Sequence, residues 1–267
     1  MILGLEELDY NKLRSLFTLY QRNPLFHCYL VYDIVYKRDS IDLVALYEGP
    51  KVLGYALLWT GYDVTAIHLW GRWEKLLDLL ELRRPVGTLY AHLYNWDKSS
   101  PELVKEFLEE HGYKVVEESI YLDMVLREEW FQPFFLGSVT RLRPVHATLF
   151  TRAQRAQGRR ISEEEAKALL EEQRCYGVIE NGRIVSMACR YLMLPEIGCI
   201  GGVYTEPLYR GRGYARAVTS AISRDIVQSG AIAMLHVEAG NVPAIRVYRR
   251  LGYQVAGRKL WLIAKPG

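Results

Sequence analysis

The chain has 267 residues, half of them hydrophobic, which is enough material for one large core or two ordinary ones. Its formal net charge of +3 is too small for general coating of nucleic acid or for adsorption to a membrane surface, so any anion site must be local. Because no apolar stretch approaches the roughly 20 residues that a membrane span requires, we expect no transmembrane segment.

The first half of the sequence is predicted to mix helices with short strands. It begins with an amphipathic helical region from residue 5 to about residue 36. Two apolar runs then flank the residues Glu48-Gly49-Pro50-Lys51, a composition typical of a hairpin turn. The remaining predicted elements are, in order, a strand over 65–69, a helix over 73–82, a strand over 86–94, a helix over 101–111 and a strand over 113–126.

The second half repeats this order of elements. A hairpin again follows a helical region, and its Asn181-Gly182 pair favours a type I′ turn. Within the helical region, Ser162 and Glu165 have the spacing of a capping box. The predicted elements are, in order, a strand over 138–143, helices within 146–174, the hairpin over 175–194, a strand over 197–204, a helix over 213–228, a strand over 232–237, a helix over 241–251 and a closing extended segment.

The repeated order predicts an α/β chain built from two domains of related structure. We place the domains at residues 1–132 and 137–267, with the seam inside 127–138, where a proline and a glycine interrupt the strand pattern. The alternative is that two unrelated α/β domains share this order. The second copy carries extra residues between its hairpin and its final helix, and these include the sequence TEPLYRGRGYARA.

The stretch TEPLYRGRGYARA, residues 205–217, has the composition of an anion-binding helix start. Gly211 and Gly213 can adopt positive φ and let backbone N–H groups approach a bound group. Arg210 and Arg212 can donate charge-assisted hydrogen bonds to phosphate oxygens. The first N–H groups of the following helix have no partner inside it, and its dipole favours negative charge there. On this stretch alone, a tight strand-to-helix turn remains the alternative.

A second segment, NVPAIRVYRRLGY, has the signals of a complete helix. Asn241 is a good N-cap, Pro243 suits the first turn, and Gly252 is placed to end the helix. The helical spacing of its apolar residues turns the phenol of Tyr248 toward the protein. We therefore expect a largely buried tyrosine on this helix.

Together the two segments resemble the GNAT superfamily of acyl-CoA-dependent N-acyltransferases, and the match is strong only from about residue 138 onward. The phosphate loop of that superfamily has the pattern Q/R-x-x-G-x-G/A, matched here by Arg210, Gly213 and Ala215. Its later motif, N-x-x-A-x-x-x-Y-x-x-x-G-F/Y, is matched by Asn241, Ala244, Tyr248, Gly252 and Tyr253. The resemblance implies two GNAT-like domains, each a twisted mixed β-sheet flanked by helices, with acyl-CoA bound in a splay between two central strands.

The resemblance also implies how the coenzyme is held. Its pyrophosphate would rest on the backbone of the loop, its pantetheine arm would pair with the preceding strand, and an N–H near Gly202 or Val203 would polarise the thioester carbonyl. Acetyl-CoA is the implied cosubstrate, and no metal is implied because a thioester is already an activated acyl donor. The implied coenzyme-binding residues are Val203, Tyr204, Thr205, Arg210, Gly211, Arg212, Gly213, Tyr214, Ala215 and Asn241.

Acyl transfer to an amine requires an acid and is helped by a base. The phenol of Tyr248 can protonate the departing thiolate, the alternative being a core tyrosine without a chemical role. An alkylamine with a pKa near about 10.4 is mostly protonated at neutral pH, so a base would help. The favoured candidate is Glu196 and the second is Glu238, and a solvated or structural role for both is the alternative. Cys199 stands where many family members place a glutamate, and we expect it to be a buried strand residue, the alternative being an acylated nucleophile.

The first half lacks the coenzyme loop. Its corresponding stretch reads AIHLWGRWEKLL, in which Gly71 is followed by Arg72 and the bulky Trp73, and Phe107 stands in the later helix instead of a tyrosine. We therefore expect a degenerate copy that does not bind coenzyme. Its expected roles are to shape the acceptor pocket and to bury surface of the second half.

The cysteines and the charged runs limit which cellular compartment and which partners we expect. The four cysteines, at positions 28, 175, 189 and 199, stand apart without a CxxC pair, so we expect reduced thiols without a disulfide or zinc. An N-terminus without signal-peptide features adds to the expectation of a cytoplasmic protein. The arginines of RAQRAQGRR, residues 152–160, are expected to form a solvated helix face, so nucleic acid is not the expected partner.

The predicted function is an N-acetyltransferase that acts on a primary amine of a small molecule, an amino acid or a protein, as a monomer or homodimer. Two alternatives stay open. One is a non-catalytic acyl-CoA-binding module, and the other is an aminoacyl-tRNA-dependent transferase, which the intact coenzyme loop disfavours. No motif identifies the acceptor amine.

Overall fold

The computed structural model describes residues 1–61, 63–82, 85 and 87–267, which divide into two compact units. The first unit comprises Met1–Tyr121 together with Arg258–Gly267, and the second comprises Leu122–Gly257. The end of the chain therefore belongs to the first unit. The predicted domains, 1–132 and 137–267, are divided differently because they assign the closing strand to the second domain, and as sequence domains they stay a prediction.

The two halves of the chain have closely similar successions of elements. Those of the first half are β1 (Ile2–Gly4), α1 (Tyr10–Arg22), α2 (Pro24–Tyr36), β2 (Ile41–Glu48), β3 (Lys51–Thr60), β4 (Val64–Gly71), β5 (Thr88–Leu93), α3 (Ser100–Glu110) and β6 (Tyr113–Leu126). Those of the second half are β7 (Val139–Leu142), α4 (Ala147–Ala156), α5 (Glu163–Glu172), β8 (Arg174–Glu180), β9 (Arg183–Met193), β10 (Ile197–Thr205), α6 (Tyr214–Val227), β11 (Ile232–Glu238), α7 (Val242–Arg249) and β12 (Gln254–Pro266).

The first unit is a mixed sheet with a hydrophobic cluster on each face. Its strand order is β1-β2-β3-β4-β5-β12-β6, in which β4 and β5 are parallel and β12 runs antiparallel to β5. One cluster joins the sheet to α1 and α2, and the other joins it to α3 and to the segment 73–80. Leu260, Leu262 and Ala264 of β12 belong to the second cluster, so the chain's last strand completes this core.

The second unit has the same design. Its strand order is β6-β11-β10-β9-β8-β7, in which β10 and β11 are parallel. One cluster packs α6 and α7 on the sheet and contains Ala188, whereas the other packs α4 and α5 and contains Met187 and Cys189. Because neighbouring residues of a strand point to opposite faces, the two pairs of helices cover opposite faces of this sheet.

Most predicted elements are confirmed, including their local signals. Asn181 and Gly182 have φ of +49° and +69°, as a type I′ turn requires. Ser162 forms the predicted capping box, since Glu165 N donates to its Oγ at 3.2 Å and its own N donates to Glu165 Oε2 at 2.6 Å. The helical region 5–36 is two helices, because Pro24 cannot continue α1 and begins α2 instead. The strand predicted over 86–94 is β5, and residue 86 lies outside the described residues.

The helix predicted over 73–82 is wrong. The segment forms successive tight turns, with a 3-10 helix at Leu77–Leu79 and hydrogen bonds from Leu76 N to Trp73 O and from Leu80 N to Leu77 O. Four apolar residues do recur at helical spacing, and all four are buried in the core on this face: Trp73, Leu76, Leu77 and Leu80. A segment this short has little helical stability of its own, so its packing decides its conformation. Among the described residues, no helix is long and apolar enough to span a membrane.

The expectation of four reduced cysteines is also wrong, because Cys175 and Cys189 form a disulfide across β8 and β9. Regular pairing outward from the turn would place Cys175 opposite Ala188. A bulge between Val178 and Ile179 shifts the register by one residue and brings Cys189 opposite instead. The sequence gives no sign of that bulge, so the pairing could not be foreseen.

Alkylation of the denatured protein without a reductant should therefore modify two cysteines, Cys28 and Cys199, because only these carry thiols. After reduction, iodoacetamide should label all four. Mass spectrometry of the intact protein and of its peptides counts and locates the labels. Four labels on protein prepared and denatured without reductant would contradict the disulfide.

Leu262→Ala should destabilise the first unit although it lies near the end of the chain. Leu262 is fully buried, and a leucine-to-alanine change in a core lowers the free energy of unfolding by about 2–5 kcal/mol. Hydrogen exchange of the β5 amides measures the effect where it is expected. The matched control on the same strand is Val255→Ala at an exposed site, expected to change stability by less than about 0.5 kcal/mol. Unchanged β5 exchange in Leu262→Ala would show that β12 does not complete this core.

Candidate active site

Helix α6 begins at a loop in which two glycines adopt left-handed backbone conformations. The φ angle is +77° at Gly211 and +82° at Gly213, values that residues with a Cβ rarely adopt. A Cβ on Gly211 would meet no atom within 4 Å, whereas one on Gly213 would lie 3.3 Å from the ring of Phe134. The loop is therefore open at Gly211 and packed against the chain at Gly213.

The start of α6 presents unpaired backbone donors. The first intrahelical bond runs from Ala217 N to Gly213 O. Before it, no hydrogen bond to another described residue is made by the N–H groups of Gly213, Tyr214, Ala215 and Arg216. Such donors, at the positive end of a helix dipole, form a site for an anion with several oxygens. A pyrophosphate fits this arrangement.

Two of the predicted arginines line the loop. Arg210 donates from Nε to the carbonyl oxygen of Thr205 at 3.3 Å, which ties the loop to the end of β10. The guanidinium of Arg212 lies 5.0 Å from the ring centre of Tyr209 and is exposed. Both side chains can therefore contribute charge at the loop, and Arg212 has the more open position.

A third arginine, Arg216, was not among the predicted site residues. Its guanidinium carbon lies 4.4 Å from the ring centre of Phe134, and its Nη2 donates to Arg250 O at 3.0 Å. Its Nε is enclosed and has no acceptor within the described part of the chain. Phe134 is fixed in turn by a hydrogen bond from its N–H to Ser220 Oγ at 2.8 Å. An enclosed cationic donor beside the loop adds to its preference for an anion.

Strand β10 carries a bulge near the point where its pairing with β11 ends. The parallel pairs end at Ile200 with Leu235. On its other side, β10 shifts register against β9, and Gly202 and Val203 have no partner residue there. Gly202 has a φ of +59°, which fits its place in the bulge. Beyond residue 200, the backbone of β10 is therefore not paired with β11, and an extended ligand can pair with it.

The last residues of β10 are held in place by β9. Ser186 Oγ donates to the carbonyl oxygen of Tyr204 at 2.9 Å and lies 2.8 Å from Thr205 Oγ1. Val203, Tyr204 and Thr205 are all half-buried. The predicted pantetheine-binding residues therefore form a fixed strand end that leads directly toward the loop.

Helix α7 places the two predicted residues Asn241 and Tyr248. Asn241 caps the helix, with its Oδ1 accepting from Ala244 N at 3.2 Å. Tyr248 is only 6% exposed, and burial raises its pKa to about 12. Its hydroxyl makes no hydrogen bond to another described residue, in contrast to Tyr253, whose hydroxyl lies 2.7 Å from Ser223 Oγ. The Tyr248 phenol is thus neutral and able to donate to a ligand.

The two predicted bases lie at opposite ends of the parallel strands β10 and β11. Glu238 is half-buried at the carboxyl end of β11, where its carbonyl oxygen accepts from Asn241 N at 2.9 Å. Glu196 is exposed and precedes β10 at its amino end. About six residues of strand separate it from Gly202, a distance of roughly 20 Å at 3.3 Å per residue. The structure brings Glu238 to the carboxyl end of the strands, where the loop lies, and it does not bring Glu196 there.

The structure also places a buried acid–histidine pair that the motifs did not reveal. His236 Nδ1 on β11 lies 2.6 Å from Asp123 Oδ1 on β6, and the two side chains are 5% and 1% exposed. A lone carboxylate inside the apolar run SIYLDMVL was the available signal, because buried Asp is rare unless it is paired. No group of three or more His, Cys, Asp or Glu in the described sequence is arranged to hold a metal ion.

A second missed contact joins the loop to the hairpin. The hydroxyl of Tyr214 donates to Glu180 Oε1, and this hydrogen bond raises the pKa of the Tyr214 phenol. Glu180 ends β8 beside the Asn181-Gly182 turn. The first residue of α6 is therefore anchored by its side chain, while its N–H stays available.

The corresponding place in the first unit has none of this geometry. Parallel pairs join β4 and β5 from Val64 with Thr88 to Leu69 with Leu93, almost to the end of both strands. Between these strands, the described residues contain a 3-10 turn and no α-helix. Within the described residues, no helix N-terminus follows β4 at this end of the sheet, and the degenerate copy stays a prediction.

Comparison with known proteins identifies the fold. Residues 175–262 match the family model described as FR47-like protein, and no curated protein matches the chain. A Drosophila protein of known structure has a TM-score of 0.72 at 18% identity, over 99% of this chain and 98% of its own. A tandem GNAT protein from the clavulanic acid biosynthesis pathway has a TM-score of 0.57 at 13% identity, over 100% of this chain and 99% of its own. A GCN5-related N-acetyltransferase from Sphaerobacter thermophilus has a TM-score of 0.57 at 17% identity, over 98% of this chain and 95% of its own.

These similarities extend over the whole chain and agree with the loop, the bulge and the repeated element order. They confirm the predicted resemblance and the predicted fold class of two α/β units with mixed sheets. The chain therefore has the fold of tandem GNAT proteins, and its residues 175–262 match the FR47-like family model.

Proposed function

We propose that the second unit is an N-acetyltransferase that moves the acetyl group of acetyl-CoA to a primary amine of a small molecule, an amino acid or a protein. The observation that carries the proposal is the start of α6, where left-handed glycines and unpaired N–H groups follow the carboxyl end of β10. Ligands of open α/β sheets bind at this edge, outside the carboxyl ends of parallel strands. The acetyltransferase names of the structural relatives agree with it.

In the proposed complex, the N–H groups at the start of α6 donate to the pyrophosphate of the coenzyme, and Arg210 and Arg212 add positive charge. The backbone of 203–205 pairs with the pantetheine arm. When bound, acetyl-CoA supplies an acetyl group already activated as a thioester. An N–H of the bulge at Gly202 and Val203 stabilises the negative charge that develops on the carbonyl oxygen during attack.

Tyr248 serves as the acid in this proposal. Its phenol is protonated throughout the neutral range, because burial raises its pKa to about 12. The departing thiolate, with an ordinary pKa of about 8.5, gains a proton from a hydroxyl within hydrogen-bond reach. Of the two predicted bases, Glu238 has the favourable place, since it shares an edge with the loop, whereas Glu196 lies at the other end of β10.

The proposal is tested by release of coenzyme thiol from acetyl-CoA in the presence of a panel of primary amines. The expected result is amine-dependent release, with an acetylated product detected by mass spectrometry. Calorimetry with acetyl-CoA alone accompanies the assay. Coenzyme binding without turnover for any amine would contradict the transferase and favour a binding module.

Arg212→Glu should weaken coenzyme binding about 100-fold or more, because it replaces a charge-assisted donor by a repelling carboxylate beside the pyrophosphate. The dissociation constant is measured by calorimetry. Arg155→Glu, an equal charge reversal at an exposed site on α4, is the control and should leave the constant nearly unchanged. Equal affinities in both variants would reduce the loop to a structural turn.

Tyr248→Phe should lower kcat about 100- to 1,000-fold and leave the affinity for acetyl-CoA nearly unchanged, because only proton donation to the leaving thiolate is lost. Steady-state rates and calorimetry separate the two effects. Tyr253→Phe is the matched control, since it removes another buried hydroxyl from the same core. A similar kcat for both variants would mean that Tyr248 is a core tyrosine without a chemical role.

A further inference from the structure

The buried pair of Asp123 and His236 lies where the two central strands of the second unit separate. His236 follows Leu235, the last residue of β11 that pairs with β10. Asp123 Oδ1 is 2.6 Å from its Nδ1, and both side chains are almost fully enclosed. A carboxylate at Nδ1 holds the proton on that nitrogen and orients the ring, so that Nε2 becomes the accepting nitrogen.

The strand pattern places this pair on the face opposite Tyr248. Leu235 and Val237 pack in the core with Tyr248 under α6 and α7, so the residue between them, His236, points to the other face. Met124 and Leu126 belong to the same core, and by the same alternation Asp123 also points away from it. The opposite face is the one on which α4 and α5 pack.

We propose that His236, oriented by Asp123, accepts the proton released by the attacking amine at the gap between β10 and β11. This inference rests on the proposed transferase function. It gives the two sides of the gap separate roles, with the acid, Tyr248, on the coenzyme side and the proton acceptor on the amine side. His236 is then a catalytic residue, and Asp123 is a positioning residue.

The proton balance of the reaction needs a group in this position. The amine nitrogen bonds to the carbonyl carbon, and the bond from that carbon to sulfur breaks. An ammonium loses two protons in becoming an amide. One passes through His236 to solvent, and the other replaces the proton that Tyr248 gives to the thiolate. The nitrogen becomes strongly acidic once it has bonded to the carbonyl carbon, so a neutral imidazole can accept a proton from it.

Glu238 has a complementary position in this scheme. It lies two residues beyond His236 on the same face of β11 and is half-buried at the strand end. A carboxylate there attracts a cationic amine and provides an exit toward solvent for the proton on His236. The two residues are therefore expected to differ in their kinetic signatures, with Glu238 acting mainly through KM and His236 through kcat.

The first unit contains a natural control for a buried histidine. His92 is the fifth residue of β5, as His236 is the fifth residue of β11. Its ring lies 4.0 Å from that of Trp261 in a stacked arrangement, and its Nδ1 is 3.1 Å from the Nδ1 of His68. His92 thus matches His236 in strand position and burial, and the group found at its Nδ1 is an imidazole.

The test compares His236→Gln, Glu238→Gln and His92→Gln in the full chain with acetyl-CoA and the best amine of the panel. His236→Gln should lower kcat about 100-fold and change the dissociation constant of acetyl-CoA less than about twofold. Glu238→Gln should raise KM for the amine more than it lowers kcat, and His92→Gln should keep kcat within about twofold. Circular dichroism verifies that each variant is folded.

Chemical rescue separates proton transfer from packing. In His236→Ala, added imidazole should restore kcat at least about tenfold, and pyrazole, a much weaker base of the same shape, should not. Equal rescue by both compounds would assign a space-filling role to His236 and overturn the proposal.

The role of Asp123 has a readout independent of activity. Nitrogen NMR of the histidine-labelled protein at pH 8 should show a neutral His236 with its proton on Nδ1. In Asp123→Asn, the amide can donate to Nδ1, so the proton should move to Nε2 and kcat should fall about tenfold or more. A wild-type proton on Nε2, or an imidazolium at pH 8, would overturn the proposal.

The failure of this inference is distinct from the failure of the transferase. If wild-type protein releases thiol with an amine and His236→Gln has the same kcat, His236 is not the proton acceptor while the transferase stands. If Glu238→Gln alone loses kcat, the base is Glu238 and the inference is again wrong. If the wild-type protein binds acetyl-CoA and never transfers its acetyl group, the proposed function itself fails.

Discussion

Parallel pairing of β10 with β11 ends at Ile200 and Leu235, and the arrangement of the second unit's site follows from that limit. Backbone groups that leave a sheet must find other partners or a ligand. The bulge at Gly202 turns β10 away from regular pairing, and the strand then leads through a loop to α6, whose first amides are also unpaired. The unpaired backbone groups of the bulge and of the start of α6 thus follow one another along the path that we propose for the coenzyme.

The two units show that a glycine of positive φ does not by itself make an anion site. Gly71, at the end of β4, has a φ of +69°, and a Cβ there would lie 2.2 Å from Leu53 O. The next amide, of Arg72, donates to that same carbonyl at 3.1 Å. In the first unit the glycine therefore serves a close approach of backbone to backbone. In the second, Gly211 faces open space and is followed by a helix whose first amides are unpaired.

Local signals in the sequence predicted local structure well. The Asn181-Gly182 turn, the Ser162 capping box and the Asn241 cap each depend on a few neighbouring residues, and all are found. What the sequence could not provide depends on distant partners. The tight turns after Trp73 follow from core packing. The disulfide follows from a bulge that no residue in the sequence predicts. The contact of Asp123 with His236 joins strands far apart in sequence and required the fold to be known.

The placement of residues 258–267 in the first unit bears on the order in which the protein can be made. Domains usually fold as they leave the ribosome, the N-terminal one first. Here β12 follows the entire second unit in the sequence, so the edge of β5 stays open until residues 258–267 have been made. A strand that lies beyond the second unit in sequence completes the sheet of the first, and until it pairs, the edge of β5 is exposed to pairing with another chain.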